Sequence, residues 1–216
     1  MSSDRSLHQP SWSVPPELQR AGQNWLDRGR PQKLLRWLER FLNDSEQIPR
    51  FGNPSDWWEV LDLLLEWRDQ GKAGWPQSLD DLTAALLKNA LRFSRTDGSA
   101  VFEPEGGSVE RAERVRRWVD RLDDPALRTI ARWWFPSRGK PDRGVQGSSP
   151  PLPAISSERR VLAMLRPDWL AQGDLLAVHQ PSATPATSIE LRGRGSWLLG
   201  PDWSFGDPFG QATSPR

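Results

Sequence analysis

Cysteine and tyrosine are both absent from the chain, histidine occurs twice, and no long apolar run is present. Without cysteine there is no disulfide, no thiolate zinc site and no thiol nucleophile. His8 and His179 each stand without a second His or Asp at ligand spacing, so nothing in the sequence points to a metal centre or another cofactor. Acidic and basic residues nearly cancel, 28 against 29, for a net charge of +1. No global field therefore draws the chain to nucleic acid or to a membrane surface. No stretch approaches the ~20 apolar residues of a membrane span. The opening Met1-Ser2-Ser3-Asp4-Arg5 lacks the basic-then-apolar order of an export signal, so a soluble, cytoplasmic chain is expected. Lysine occurs only at Lys33, Lys72, Lys88 and Lys140, and the remaining basic residues are arginine. Arginine's planar fork suits carboxylate or phosphate, but a genome biased in base composition gives the same preference.

What the chain does have is tryptophan, 13 residues of it, with 7 phenylalanines. Each buried tryptophan removes about 150–250 Å² from water, so these rings can found a core. Proline (20) and glycine (17) are plentiful enough that part of the chain is expected to lie outside it.

Residues 1–16 are polar and proline-broken and read as a disordered arm. Residues 17–136 read as a helical domain. A short helix over Glu17–Leu26 closes near Gly29, and Pro31 opens a second with Leu34, Leu35, Leu38, Phe41 and Leu42 on one stripe. From Pro54 or Ser55 to Gly71 the apolar residues cover most of the circumference, which predicts a central helix; only Glu59, Asp62, Glu66 and Asp69 form a polar strip. Ser78 and Asp81 predict a box-like cap for a fourth helix. Leu91–Arg95 and Ala100–Glu103 then predict two short strands about an Asp97-Gly98 turn. Ser108 and Asp124-Pro125 predict the starts of a fifth and a sixth helix. Residues 137–157 are rich in Gly, Pro and Ser and read as a flexible linker. In 158–216 the runs Arg160–Leu165, Leu175–His179, Ile189–Leu191 and Trp197–Leu199 read as short strands, a small set marginal without an apolar face to pack on.

The acidic strip has a counterpart in Arg111, Arg114, Arg117 and Arg121 on the fifth helix. Facing ion pairs explain both better than a catalytic carboxylate cluster does. Trp57-Trp58 and Trp133-Trp134 fall mostly on core positions, yet adjacent side chains point about 100° apart, leaving one of each pair for a cleft. Trp75, bounded by Gly74 and Pro76 in a loop, is the best candidate for an exposed aromatic platform. Stacking rings and arginine forks together suit acidic sugars.

The segment Leu91-Arg92-Phe93-Ser94-Arg95-Thr96-Asp97-Gly98-Ser99-Ala100-Val101-Phe102 resembles the hairpin that interrupts the helices of an (α/α) toroid in heparinase II/III-like proteins. Ile189–Gly193 and Trp197–Trp203 resemble the beginning of the β-sandwich that follows such a toroid. The resemblance spans about Asp56 to Trp203 and implies a mainly α, toroid-like fragment with an inserted hairpin, a linker and a small β-rich end. It further implies a polysaccharide lyase acting by β-elimination on uronic-acid glycans. In that family Tyr and His supply the base and acid, and this chain has no Tyr and no His aligned with the motif. What the resemblance leaves is a partial or degenerate module that binds acidic polysaccharide, with Arg92, Arg95 and Trp75 as substrate contacts. A helical module that binds a protein partner through a Trp-lined groove is the alternative expectation.

Overall fold

The computed structural model describes residues 16–41, 49, 54–70, 75–95, 99–102, 109–134, 152–157, 162–169, 174–180, 187–194, 196–200 and 204–205. The expected arm (save Pro16), residues 137–151 of the expected linker, Gly71 and Ser108 lie outside them.

Six helices come first: α1 (Pro16–Asp27), α2 (Pro31–Phe41), α3 (Pro54–Asp69), α4 (Gln77–Arg92), α5 (Val109–Leu122) and α6 (Pro125–Trp134). Helix α3 is central as its pattern requires, burying Trp57, Trp58, Val60, Leu61, Leu64, Leu65 and Trp67 around most of its surface. Between α1 and α2 the chain reverses at Gly29, whose φ of +61° is costly for a residue with a Cβ. Its N–H returns to the Leu26 carbonyl at 2.9 Å, closing the helix end. A second glycine, Gly22, lets α1 lie against α3, because a Cβ there would sit 2.3 Å from Cη2 of the buried Trp67 ring. At α6 the Asp124 side chain accepts the Leu127 N–H at 2.9 Å, an N-cap followed by proline at the first helical position. The Ser78/Asp81 cap does not form. Pro76 is the cap residue of α4 without a side-chain bond, and Gln77 bonds Asp81 instead.

Six strands follow: β1 (Ile155–Ser157), β2 (Leu162–Leu165), β3 (Leu175–His179), β4 (Thr187–Gly193), β5 (Ser196–Leu199) and β6 (Ser204–Phe205). They form one antiparallel sheet in the order β1-β2-β3-β4-β5, with β6 paired to the start of β4. Alternation sorts the side chains. Leu162, Met164, Leu175, Ala177, His179 and Glu190 point inward and are buried. Ala163, Leu176, Val178, Ile189 and Leu191 point outward and are half-buried. A register shift at Leu191/Arg192 leaves Leu198 as the extra residue of β5. Leu165 and Leu198 are 53% and 64% exposed.

The expected fold class is corrected here. The molecule is a mixed helix-and-sheet fold, not a mainly helical toroid with a small β end. The physical reason is the partner surface. The turn after α4 supplies the face that the short strands need, and buried residues of both layers belong to one continuous apolar cluster. That turn also differs from the two strands expected. α4 runs on to Arg92, and the return consists of one antiparallel bridge, Ser94 to Ala100, with Arg95 N–H on Ser99 O at 2.7 Å and Val101 N–H on Phe93 O at 2.9 Å. Residues 96–98 at its tip lie outside the described set.

Candidate functional site

Arg92 and Arg95, expected as glycan contacts, sit at the seam between helices and sheet. Arg95 has no exposed surface, nor has its partner Glu190 on β4. Its Nε and Nη2 donate to the two carboxylate oxygens at 2.7 and 2.8 Å, a bidentate pair, and its Nη1 donates to Ser99 Oγ at 2.8 Å. Glu190 also accepts the Phe102 N–H at 2.9 Å. Trp197 of β5 lies under two guanidinium groups, Arg95 at 4.9 Å and Arg192 at 4.7 Å from the ring centroid. Arg92 donates to the Leu152 carbonyl at 3.0 Å and to Asn89 Oδ1 at 2.7 Å, and its burial lowers its pKa. Close by, desolvation lowers the Arg166 guanidinium to about 10 against the opposing pull of Asp168. Arg166 Nη1 reaches the Ser94 carbonyl at 3.3 Å. These arginines join layers rather than face solvent.

Trp75 lies elsewhere, before the opposite end of α4. Over the 16 residues of that helix, at 1.5 Å each, the two places are about 24 Å apart. The half-buried Trp75 donates its indole N–H to Asp80 at 2.8 Å. Asp80 also accepts two bonds from Arg68, at 2.8 and 2.9 Å, and Arg68 donates onward to the Arg121 carbonyl at 2.9 Å. This chain of bonds ties the end of α3, the start of α4 and the end of α5 together.

A surface groove runs between α3 and α5. Its volume is 470 Å³, and Asp62, Leu65, Glu66, Asp69, Gln70, Arg114 and Arg117 line it. The two charged strips meet across it as their helical spacing predicts. Arg114 pairs with Asp62, and Arg121 with Asp69 at 3.2 Å. Glu66 accepts a bond from Gln70 at 3.2 Å, and Arg117 is exposed with no ion pair among the described residues. Among the described residues no three His, Asp or Glu side chains are grouped to hold a metal ion. Arg117 and Glu66, both exposed in the groove, are not singled out by the sequence as individual site residues. Their signal was present, since both belong to the matching strips.

Trp57, Trp58, Trp67 and Trp118 are all at most 4% exposed. The Trp133 and Trp134 side chains lie outside the described set. Among the described residues no helix is long and apolar enough to cross a membrane.

No protein-family model matches the chain, and no curated protein matches it in sequence. Among solved structures, the heparan sulfate lyase HepC from Pedobacter heparinus is similar, with a TM-score of 0.58 and 14% identity. The fold of the matched part is similar to that of a segment of this lyase. The likeness covers 80% of this chain and 28% of the lyase, so the chain spans under a third of that enzyme's length. At this identity the likeness speaks for the fold and not for the chemistry.

Proposed function

We propose that this chain is a polysaccharide-lyase-like module that binds acidic polysaccharide, rather than cleaving it, along the α3–α5 groove. The observation that carries the reading is the fold shared with a heparan sulfate lyase over four-fifths of the chain. The groove adds suitable chemistry. Arg117 offers a guanidinium fork for a carboxylate or sulfate, and the acidic strip offers acceptors for sugar hydroxyls. Arg92 and Arg95 are reassigned to holding the two layers together, because their guanidinium groups are already committed inside. The chain has no tyrosine to act as the family's base.

The test is titration of the whole chain with uronate-containing and neutral oligosaccharides at low and physiological salt, beside the Arg117→Ala and Trp75→Ala variants. Binding of the acidic chains alone, weakened by salt and by Arg117→Ala, is expected. No unsaturated sugar should accumulate. Equal affinity for neutral chains, or no binding at all, refutes the reading. A protein-binding role is the second reading, and it draws on the outward sheet face, where Leu165 and Leu198 are the most exposed.

A further inference from the structure

The groove is a ladder with one rung open. Carboxylates at 62, 66 and 69 recur at helical spacing on α3, and guanidinium groups at 114, 117 and 121 recur so on α5. The outer rungs, Asp62–Arg114 and Asp69–Arg121, are closed. In the middle, Glu66 is bonded only along its own helix to Gln70, and Arg117 reaches no carboxylate among the described residues. Leu65, 4% exposed, lies beneath.

Resting on the proposed glycan-binding role, we infer that the Glu66/Arg117 rung is a subsite for one uronate residue and that it disfavours sulfated chains. A planar carboxylate matches the Arg117 fork, a ring hydroxyl is a further donor to Glu66 beside Gln70, and the C–H face of the sugar lies toward Leu65. The flanking rungs set the preference. Each is neutral as a pair, so neither offers a free cation to a second anion. Each still places a carboxylate within about one helical turn, ~5 Å, of Glu66. One anion per disaccharide is accommodated; sulfate groups added beside it meet Asp62, Glu66 and Asp69, and among the described residues lining the groove no second unpaired arginine receives them.

Chondroitin and chondroitin sulfate oligosaccharides of equal length share a backbone and differ only in sulfation, so they isolate the point. With the whole chain, the unsulfated oligosaccharide should bind about tenfold tighter than the sulfated one, the worth of one uncompensated charged contact. Arg117→Ala should weaken both, and Arg117→Lys, which keeps the charge but loses the fork, should recover only part of the uronate affinity. Glu66→Gln should narrow the ratio between the two chains. Circular dichroism checks that these exposed-site variants stay folded. If neither oligosaccharide binds, the glycan-binding role itself fails. If both bind, with the sulfated chain equal or tighter and the ratio unmoved by Glu66→Gln, the glycan-binding role survives and the uronate subsite is overturned.

Discussion

Removing the Glu190 carboxylate tests whether one buried ion pair joins helices to sheet. Glu190→Ala leaves the Arg95 guanidinium charged and enclosed, having lost two bonds at 2.7 and 2.8 Å, and leaves the Phe102 N–H without its acceptor. Breaking one side of such a pair costs about 3–5 kcal/mol. For a chain of this size each kcal/mol lowers Tm by roughly 2–4 °C, so a fall of about 10 °C is expected. Glu190→Gln should cost nearly as much, because its amide turns N–H donors toward a group that is all donors. The pair Arg95→Met/Glu190→Leu should recover most of the loss, since apolar replacement of a buried pair is often neutral. It should not recover all of it, because Ser99 Oγ and the Phe102 N–H still lose their partners. Urea unfolding followed by far-UV circular dichroism and tryptophan fluorescence reads both layers. A single variant within about 0.5 kcal/mol of wild type would refute the reasoning, being the size of an ordinary surface substitution. So would two separate transitions in the wild-type protein.

Leu61→Ala, at a site with no exposed surface on α3, should destabilise by about 2–5 kcal/mol in the same assay. Gly22→Ala should destabilise by about 1–3 kcal/mol despite alanine's better helix propensity, because the added Cβ meets the Trp67 ring, itself 2% exposed and held in the core. At Asp124 burial raises the pKa, but the Lys88 ammonium at 2.5 Å and the Leu127 and Ala126 amides outweigh it and hold the carboxyl below its ordinary 3.8. Its contribution is therefore complete above that value and lost as pH falls through the lower folded-state pKa. Asp124→Asn should flatten this part of a stability–pH profile measured by urea unfolding. A double-mutant cycle between Asp62 and Arg114, whose side chains are over a third exposed, should give a coupling of about 0.2–1 kcal/mol, and none at high salt.

Local pattern made the helices readable. The near-continuous apolar surface of α3, the left-handed Gly29 and the Asp124-Pro125 start each follow from a few adjacent residues, as does the meeting of the charged strips across α3 and α5. The partner of Arg95 is 95 positions away, beyond the reach of any periodicity. Seen alone, an arginine beside a turn looks like a surface contact. The sheet was underrated for a related reason. Its strands are two to seven residues long, and their stability depends on a face supplied by the turn after α4, which no strand's own alternation discloses. β1 and β6 carry too few residues for a period to register. The Trp75 loop is legible from its flanking Gly74 and Pro76, but the Arg68 bonds that hold its acceptor Asp80 depend on α3 and α4 lying together.

The separation between Arg95 and Glu190 also orders events in time. Helix pairs α1/α2, α3/α4 and α5/α6 join neighbours, and the sheet is a meander whose first five strands each pair with the next. Each half can thus assemble from contacts close in sequence, at rates set by short loops. The joint between them closes a 95-residue span, an entropic cost of about 4 kcal/mol for a flexible loop, returned only when the guanidinium meets its carboxylate. On the ribosome α4 and Arg95 emerge well before β4 does, and Arg95 stays hydrated until Glu190 arrives to draw it inside. Closure of this joint, which brings the short strands the face they pack on, is then the late step of folding.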